Sequence, residues 1–302
     1  MKLKNMLYAT SMLFLFTACS DGEDAETSAA EEDGTITYES EAGPVEVPAN
    51  PERIITLTNG PNVLALDGNV VGVDSWTKAN PLFTEKLEDV EEVSEENLEK
   101  IIELEPDLII GGTHMNNVEQ LQEIAPTVLF TWGELDYLSQ QVEIGKLLNK
   151  EEEAQDWVED FEARAKASGE EIKEKHGEDV TVSVFENGDK EVYVFGNNYA
   201  RGTEILYQAM ELEMPEKVEA DALEAGVHTM SSEVVPEYAG DYIVLSRSQQ
   251  GDNSFMETDT WNNIPAVADG NVIEIDTEAS TYSDPITLEH LLEVFEEGFL
   301  EE

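Results

Sequence analysis

The stretch ENLEKIIELEPDLIIGG, residues 96–112, contains two patterns of apolar residues in direct succession. Leu98, Ile101 and Ile102 fall near helical spacing, and Pro106 ends that run. The apolar run DLIIGG follows at once, and its length and glycine boundary are typical of a buried strand. Because helices alternating with buried strands build parallel sheets, this stretch predicts an α/β fold.

Similar apolar runs continue the alternation on both sides of this stretch. In the first half of the chain they are RIITLT (53–58), VVGVD (70–74) and TVLFTW (127–132). In the second half they are TVSVFE (181–186), EVYVFG (191–196), YIVLS (242–246) and VIEID (272–276). Helical patterns, among them GTEILYQAMEL (202–212) and TLEHLLEVFEEGFL (287–300), lie between or after these runs. The chain therefore reads as two α/β lobes.

One long helical pattern separates the two halves. It extends from Glu151 to His176, carries an apolar stripe that includes Trp157 and Phe161, and ends at Gly177. At the rise of an α-helix it would reach roughly 39 Å, enough to connect two lobes. We therefore predict two lobes with mainly parallel sheets joined by one long interlobe helix. The predicted segments are a signal peptide, a tether, an N-terminal lobe, the interlobe helix and a C-terminal lobe, at 1–18, 19–34, 35–145, 146–178 and 179–302.

The first residues predict export and a lipid anchor. A basic start, MKLKN, precedes a short apolar segment and the sequence FTACS, which ends the pattern of a secretory signal. FTAC resembles a bacterial lipobox, which would make Cys19 the lipidated first residue of the mature protein. An ordinary secretory signal with an incidental cysteine is the alternative. The acidic residues that follow, SDGEDAETSAAEEDG, are typical of a flexible tether.

The formal net charge of −52 excludes a class of partners. Nucleic acid binding requires a basic surface, and this chain has only 16 lysines and arginines against 68 acids. The acids are spread along the chain, which favours a solvated surface adapted to a saline or alkaline exterior. With one cysteine, no internal disulfide is available, so stability must come from burial.

The order of these segments resembles the class III substrate-binding proteins of ABC importers, which carry ferric siderophores, haem and cobalamin. The resemblance covers nearly the whole mature chain and rests on NPERIITLTNGPNVLALDGNVVGV, ENLEKIIELEPDLIIGG, LQEIAPTV, EIGKLLNKEEEAQDW, WNNIPAVADGNVIEID and YSDPITLEHLLE. Within that family, residues 192–218 and 231–246 most resemble the ferric-hydroxamate-binding lipoproteins of Gram-positive bacteria. The resemblance implies a monomeric, lipid-anchored protein on the outer face of the cell membrane that delivers a ferric siderophore to a membrane permease.

The resemblance also implies a ligand contact at Tyr199 and Arg201. In the hydroxamate-binding relatives the matching positions carry an aromatic residue, usually Trp, and an Arg that contact the ferric hydroxamate. Here Tyr stands in place of Trp. Arginine suits an oxygen-rich chelate because it offers five N–H donors in a planar fork and a charge that does not titrate. Without the resemblance, a solvated arginine at the start of a helix is the simpler interpretation.

Other candidate ligand contacts lie where predicted strands end or before the SDP motif near the C-terminus. They are Arg247, Trp132, Trp76, Tyr282 and His114. Each has a structural alternative; the tryptophans, for example, could plug the edge of the first lobe's core. Relatives commonly carry further aromatics just before SDP, and here one such position is Thr281. Tyr137 and Tyr193 are weaker candidates, and Tyr193 lies inside a predicted strand.

The sequence predicts neither a cofactor nor a direct metal site. The four histidines show no paired spacing, whereas a metal site needs three or four convergent ligands. Iron is expected to arrive within the siderophore. Because few cations are available, nearly neutral hydroxamate or citrate-hydroxamate complexes are favoured over highly anionic catecholates. A catecholate siderophore, haem and cobalamin stay open as alternatives.

Two acids have a docking role by resemblance alone. Glu99 and Glu233 match the lobe-surface glutamates that pair with arginines of the permease, although solvated carboxylates are the alternative for both. The chain is not expected to be an enzyme, since G-x-S-x-G, HExxH and Walker motifs are absent from it. A secreted hydrolase and a purely structural surface protein are the competing classes.

Overall fold

The computed structural model describes residues 34–188, 191–248 and 251–301. The predicted signal peptide, the lipidation site Cys19 and all of the tether except Gly34 lie outside these ranges. None of the helices within the described ranges combines the length and the apolar character needed to cross a membrane.

The first lobe contains an antiparallel hairpin and a five-stranded sheet. The hairpin is β1 (Thr35–Ser40) and β2 (Gly43–Pro48). The sheet has the order β5-β4-β3-β6-β7, and its strands are β3 (Ile54–Thr56), β4 (Val70–Val73), β5 (Glu91–Glu92), β6 (Leu108–Gly112) and β7 (Thr127–Phe130). All four strand pairings in this sheet are parallel, as the alternating pattern predicts.

Short helices connect these strands and cover the sheet. They are α1 (Gly60–Ala65), α2 (Ser75–Ala79), α3 (Leu98–Glu103), α4 (Val118–Gln122) and α5 (Tyr137–Leu147). Two apolar clusters bury the two faces of the sheet, since alternate strand residues point in opposite directions. Ile54 and Ile110 belong to one cluster, and Ile55 and Ile109 belong to the other.

The second lobe contains a mixed sheet with the order β10-β9-β8-β11-β12. Its strands are β8 (Val182–Asn187), β9 (Val192–Phe195), β10 (Val227–Met230), β11 (Tyr242–Arg247) and β12 (Val272–Asp276). The strands β8, β11 and β12 run parallel, whereas β9 is antiparallel to both of its neighbours. The helices of this part are α7 (Glu216–Ala222), α8 (Asp259–Asn262), α9 (Pro265–Ala268) and α10 (Pro285–Leu300).

A single helix, α6 (Glu151–His176), lies between the two lobes with the bounds that its pattern predicts. Ala154 near its start is buried in the core of the first lobe, and Phe161, Ala165 and Ile172 are buried in the core of the second. Because one continuous helix takes part in both cores, the lobes share a rigid connection. The predicted two-lobe α/β architecture with a long interlobe helix is confirmed.

The helical pattern GTEILYQAMEL folds differently from an ordinary α-helix. Residues Glu204–Ala209 form a π-helical segment, in which the hydrogen bonds skip one additional residue. The segment follows three consecutive residues with positive φ, namely Ala200 at 57°, Arg201 at 55° and Gly202 at 77°. Such backbone is uncommon for residues with a side chain and is often found near functional sites.

Candidate functional site

A cavity of about 640 Å³ lies between the lobes. Its first-lobe wall comes from the segments that follow β3, β6 and β7 and from the start of α5. Its second-lobe wall comes from residues 198–204 and 281–284. Cavities of this size at domain boundaries, with apolar walls and a few polar groups, are the usual sites for small ligands.

The topology of the first sheet explains which loops reach the cavity. The strands β3, β6 and β7 are parallel neighbours, so their carboxyl ends meet at one edge of the sheet. Ligands bind at such edges in open parallel sheets. Asn59, His114 and Trp132 follow these three strands, and all of them line the cavity.

Trp132 is the most exposed large apolar side chain of the described chain, with 85% of its surface accessible. It lies in the turn after β7, before Gly133, whose φ of 79° turns the chain back towards α5. His114 is also exposed, and its ring packs against Gly112, where a larger residue would collide with it. Both side chains therefore present open ring surfaces to the cavity.

The second-lobe wall is held by backbone hydrogen bonds around its left-handed residues. The amide of Tyr199 donates to Thr203 Oγ1 at 2.9 Å, and that of Arg201 donates to the carbonyl of Ser280 at 2.9 Å. Gly202 is required in this wall, because a Cβ atom there would overlap the ring of Phe295 on α10. The strained backbone thus rests on the last helix of the chain.

Arg201 lines the cavity while one edge of its guanidinium is already paired. Its Nε donates to Glu186 Oε2 at 2.8 Å and its Nη2 to Oε1 at 3.3 Å. The guanidinium also lies over the Phe195 ring, 5.3 Å from its centroid, and the Tyr199 ring stacks on Phe195 with 5.4 Å between centroids. Packing and ion pairing together fix the cation at the cavity wall.

Two buried carboxyl groups also line this wall. Glu204 Oε1 accepts from the amide of Ala200 at 3.0 Å, and burial raises the pKa of Glu204. Asp284 caps α10 by accepting from the amides of Ile286 and Thr287, and burial raises its pKa to about 6. Both groups therefore hold a proton more readily than exposed acids.

Tyr137 and Tyr282 complete the aromatic lining from opposite sides. Tyr137 is the first residue of α5, and burial is the main cause that raises its pKa. Tyr282 packs against the core of the first lobe, and its hydroxyl lies 3.3 Å from Thr77 Oγ1. Its neighbour Thr281, where relatives often carry an aromatic residue, also faces the cavity. Tyr137, which the sequence ranks as a weak candidate, is thus part of the lining.

The structure does not bring Trp76 to the cavity. This side chain is 75% exposed on α2, which follows β4, and it is not among the lining residues. The strand β4 lies on the far side of β3 from β6 and β7. The lining of this cavity therefore gives no support to the ligand contact predicted at Trp76, which stays a prediction.

Arg247 also lies away from the cavity. It is the last residue of β11, and its Nη1 pairs with Glu274 Oε2 on β12 at 3.2 Å. Its neighbour Ser246 points the other way and donates to Glu186 at 2.8 Å. Because successive strand residues face opposite sides of a sheet, Arg247 points away from the buried side on which Ser246 contacts Glu186.

The two predicted docking acids lie far apart in the sequence and are both exposed. Glu99 is in the first turn of α3, and Glu233 follows β10. Among the described residues, no group of three or more His, Cys, Asp or Glu side chains is arranged to hold a metal ion.

Sequence reasoning missed Glu186 and Glu204. Both are acids in a chain with 68 of them, so composition could not single them out. The one available signal for Glu186 is its place at the end of an otherwise apolar strand, TVSVFE.

The chain is similar in sequence to known binding proteins. The model of a family described as periplasmic binding protein matches residues 58–279. The iron(3+)-hydroxamate-binding protein FhuD of Bacillus subtilis is 32% identical over 307 residues, which cover 98% of this chain and 97% of that protein. The probable siderophore-binding lipoprotein YfiY of the same organism is 28% identical, over 96% of this chain and 98% of its own.

A solved structure shows the same arrangement of the chain. FhuD2 from Staphylococcus aureus with bound ferrioxamine B superposes with a TM-score of 0.78 at 31% sequence identity, covering 83% of this chain and 99% of its own. The sequence and the fold therefore agree along nearly the whole length. Since the family model matches most of the chain and a relative above 30% identity spans it, the chain belongs to the periplasmic binding protein family.

Proposed function

We propose that this protein is the substrate-binding component of an ABC importer and captures a ferric hydroxamate siderophore in the interlobe cavity. One observation carries the proposal: aromatic side chains from both lobes line the cavity, and Arg201 is the single lysine or arginine among its described lining residues. Aromatic surfaces suit the organic skeleton of a siderophore, and the arginine suits its chelating oxygens.

The charge of the cavity supports a hydroxamate rather than a catecholate. Three hydroxamate groups balance the charge of ferric iron, whereas three catecholates leave a strongly anionic complex. An anionic complex would require several cationic partners, whereas Arg201 is the single lysine or arginine of the described lining. A nearly neutral complex has no such requirement.

The relatives support the same ligand class. FhuD of Bacillus subtilis is named for iron(3+)-hydroxamate binding, and FhuD2 of Staphylococcus aureus holds ferrioxamine B, a hydroxamate complex. The name of YfiY describes a lipoprotein. By extension, Cys19 would carry a lipid that holds this protein, as a monomer, at the outer face of the membrane of a Gram-positive bacterium. The acidic surface would suit a saline or alkaline exterior.

Delivery to a permease would use the exposed acids of both lobes. Glu99 on α3 and Glu233 after β10 are accessible, and arginines of the permease would pair with them. Because α6 is buried in both cores, we expect the lobes to close by a small angle when the ligand binds.

Tryptophan fluorescence and native mass spectrometry with a panel of ligands test this function. We expect one ferrichrome or ferrioxamine B per chain, with quenching that disappears in Trp132→Phe. Of the four tryptophans, all within the described ranges, Trp132 alone lines the cavity, so it is the main reporter. Iron-free siderophores serve as controls. Binding of ferric enterobactin, haem or cobalamin without either hydroxamate would overturn the proposal, as would hydrolase activity without siderophore binding.

A further inference from the structure

Glu186 holds the cationic side chain of the cavity from behind. It lies near the carboxyl end of β8, its side chain is 15% exposed, and it is not among the residues that line the cavity. Its carboxylate accepts from Arg201 Nε and Nη2 and also from Ser246 Oγ, which is fully buried. The carboxylate is therefore a fixed part of the wall.

The ion pair occupies one edge of the guanidinium, and the other edge has no partner within the described ranges. Nε and Nη2 face Glu186, and no hydrogen bond joins Arg201 Nη1 to any other residue of the described ranges. The Phe195 ring covers one face of the guanidinium. The part of Arg201 that remains for a ligand is thus the Nη1 edge, whose donors can reach oxygens in the cavity.

The carboxylate also cancels the charge of Arg201 as seen from the cavity. The other ionisable side chains of the described lining, tyrosines apart, are Glu204, Asp284 and His114. None of these supplies a fixed positive charge. With Glu186 within hydrogen-bond distance of the guanidinium, the wall offers N–H donors without a net positive field.

We propose that Glu186 determines the charge preference of the cavity: by neutralising Arg201, it makes the site select nearly neutral ferric complexes over anionic ones. The inference rests on the proposed function and adds a specificity-determining residue that does not touch the ligand. A role that is only structural predicts something different. If Glu186 merely positioned Arg201, its loss would weaken neutral and anionic complexes by the same factor.

Two derivatives of ferrioxamine B separate these outcomes. The N-acetyl derivative is neutral and the N-succinyl derivative carries a carboxylate, while the chelate and the skeleton are the same. At roughly 10 Å, removal of one charge changes the binding constant of a singly charged ligand about tenfold at an effective dielectric constant near 20. In Glu186→Gln we therefore expect the ratio of N-succinyl to N-acetyl affinity to rise about tenfold.

The matched control is Glu274→Gln, which removes the same charge from the Arg247 pair outside the cavity. We expect this variant to keep the wild-type ratio. Combined with Arg201→Gln, Glu186→Gln should restore a ratio close to that of the wild type, because the charges again balance. Comparison of the double variant with Arg201→Gln also measures the effect of Glu186 if the single variant fails to fold.

Two results would overturn the inference. One is an unchanged ratio of N-succinyl to N-acetyl affinity. Glu186→Gln would then have the ratio of the wild type, or the double variant would have the ratio of Arg201→Gln. The other is an equal weakening of both derivatives that matches Arg201→Gln. Failure of the proposed function shows differently, as a wild-type protein that binds neither ferrichrome nor the N-acetyl derivative.

Discussion

The first-lobe wall of the cavity presents Trp132 with 85% of its surface accessible, whereas the second-lobe wall presents Arg201 with a side chain only 17% exposed. The first wall consists of loops at the ends of parallel strands. The second consists of left-handed backbone, a π-helical segment, an ion pair and buried carboxyl groups. The difference indicates that the second wall is preorganised for polar recognition, while the first offers an aromatic surface that can adapt.

The largest expected effect concerns the backbone of the second wall. Gly202→Ala would place a Cβ against the Phe295 ring at a residue with φ of 77°, and we expect it to lose about 4 kcal/mol of unfolding free energy. Gly270→Ala is the control, because its φ is 81° but no atom lies within 4 Å of the added Cβ. Urea unfolding measures both. Equal losses would show that the wall does not depend on the contact with Phe295.

Arg201 should account for most of the polar binding energy. We expect Arg201→Ala to weaken ferrichrome binding about a hundredfold, or about 3 kcal/mol, because its N–H donors are lost and the carboxylate of Glu186 is left unpaired in the wall. Arg201→Lys should recover only part of the loss, since an ammonium lacks the planar fork. Arg247→Ala is the matched control, a second strand-end arginine whose partner Glu274 lies outside the cavity. Fluorescence titration with ferrichrome measures the binding constants of these variants. Equal losses of affinity in Arg201→Ala and Arg247→Ala would contradict the proposed site.

The buried acid of the second wall should make stability depend on pH. The pKa of Asp284 is about 6 in the folded chain and lower when unfolded, so folded protein binds the proton more tightly between these values. Protonated Asp284 therefore stabilises the folded chain fully below about pH 4, and this contribution is lost as the pH rises through about 6. Relative to Asp284→Asn, which keeps a capping oxygen, the wild type should lose up to about 3 kcal/mol over this range. Chemical unfolding at several pH values tests this prediction. Free energies of unfolding that change equally with pH in the two proteins would contradict it.

The first wall should show the smallest effect. Trp132→Ala removes one aromatic surface and should weaken ferrichrome binding about tenfold, near 1.4 kcal/mol. Trp76→Ala changes a similarly exposed tryptophan of the same lobe that does not line the cavity, and its binding constant should stay at the wild-type value. Titration calorimetry measures both, because the fluorescence signal depends on Trp132. A loss in Trp132→Ala that exceeds the loss in Arg201→Ala would reverse the assignment of the two walls.

Much of the fold was predictable because it depends on local patterns. The periodicity of residues 151–176 gave the bounds of α6 correctly, and the apolar runs of the first half became parallel strands. The antiparallel strand β10 (Val227–Met230) and the hairpin at the start of the described chain were not predicted. The strand β10 alternates weakly, so the sequence carries little signal for it. The hairpin does alternate, with Tyr38 and Val47 buried and Thr37 and Glu46 exposed, and this signal in the sequence was overlooked.

The site was predictable only in part. The family resemblance led to Tyr199, Arg201 and Tyr282, and positions after predicted strands led to Trp132 and His114; the structure places all five around one cavity. It could not find Glu186, whose role depends on a partner fifteen positions away along the chain. Nor could it find the buried state of Glu204, because burial is a property of the assembled lobes.

The sequence by itself determined the two-lobe α/β class and the long helix, because periodicity reports which faces of local elements are buried. Only the tertiary structure decided which strand-end residues face the cleft. Strand order moved Trp76 away from Trp132, and the alternation of side chains along β11 turned Arg247 outward while Ser246 supports Glu186. Strand order and the orientation of side chains towards the cleft depend on contacts between residues distant in the chain, which single-sequence patterns do not encode.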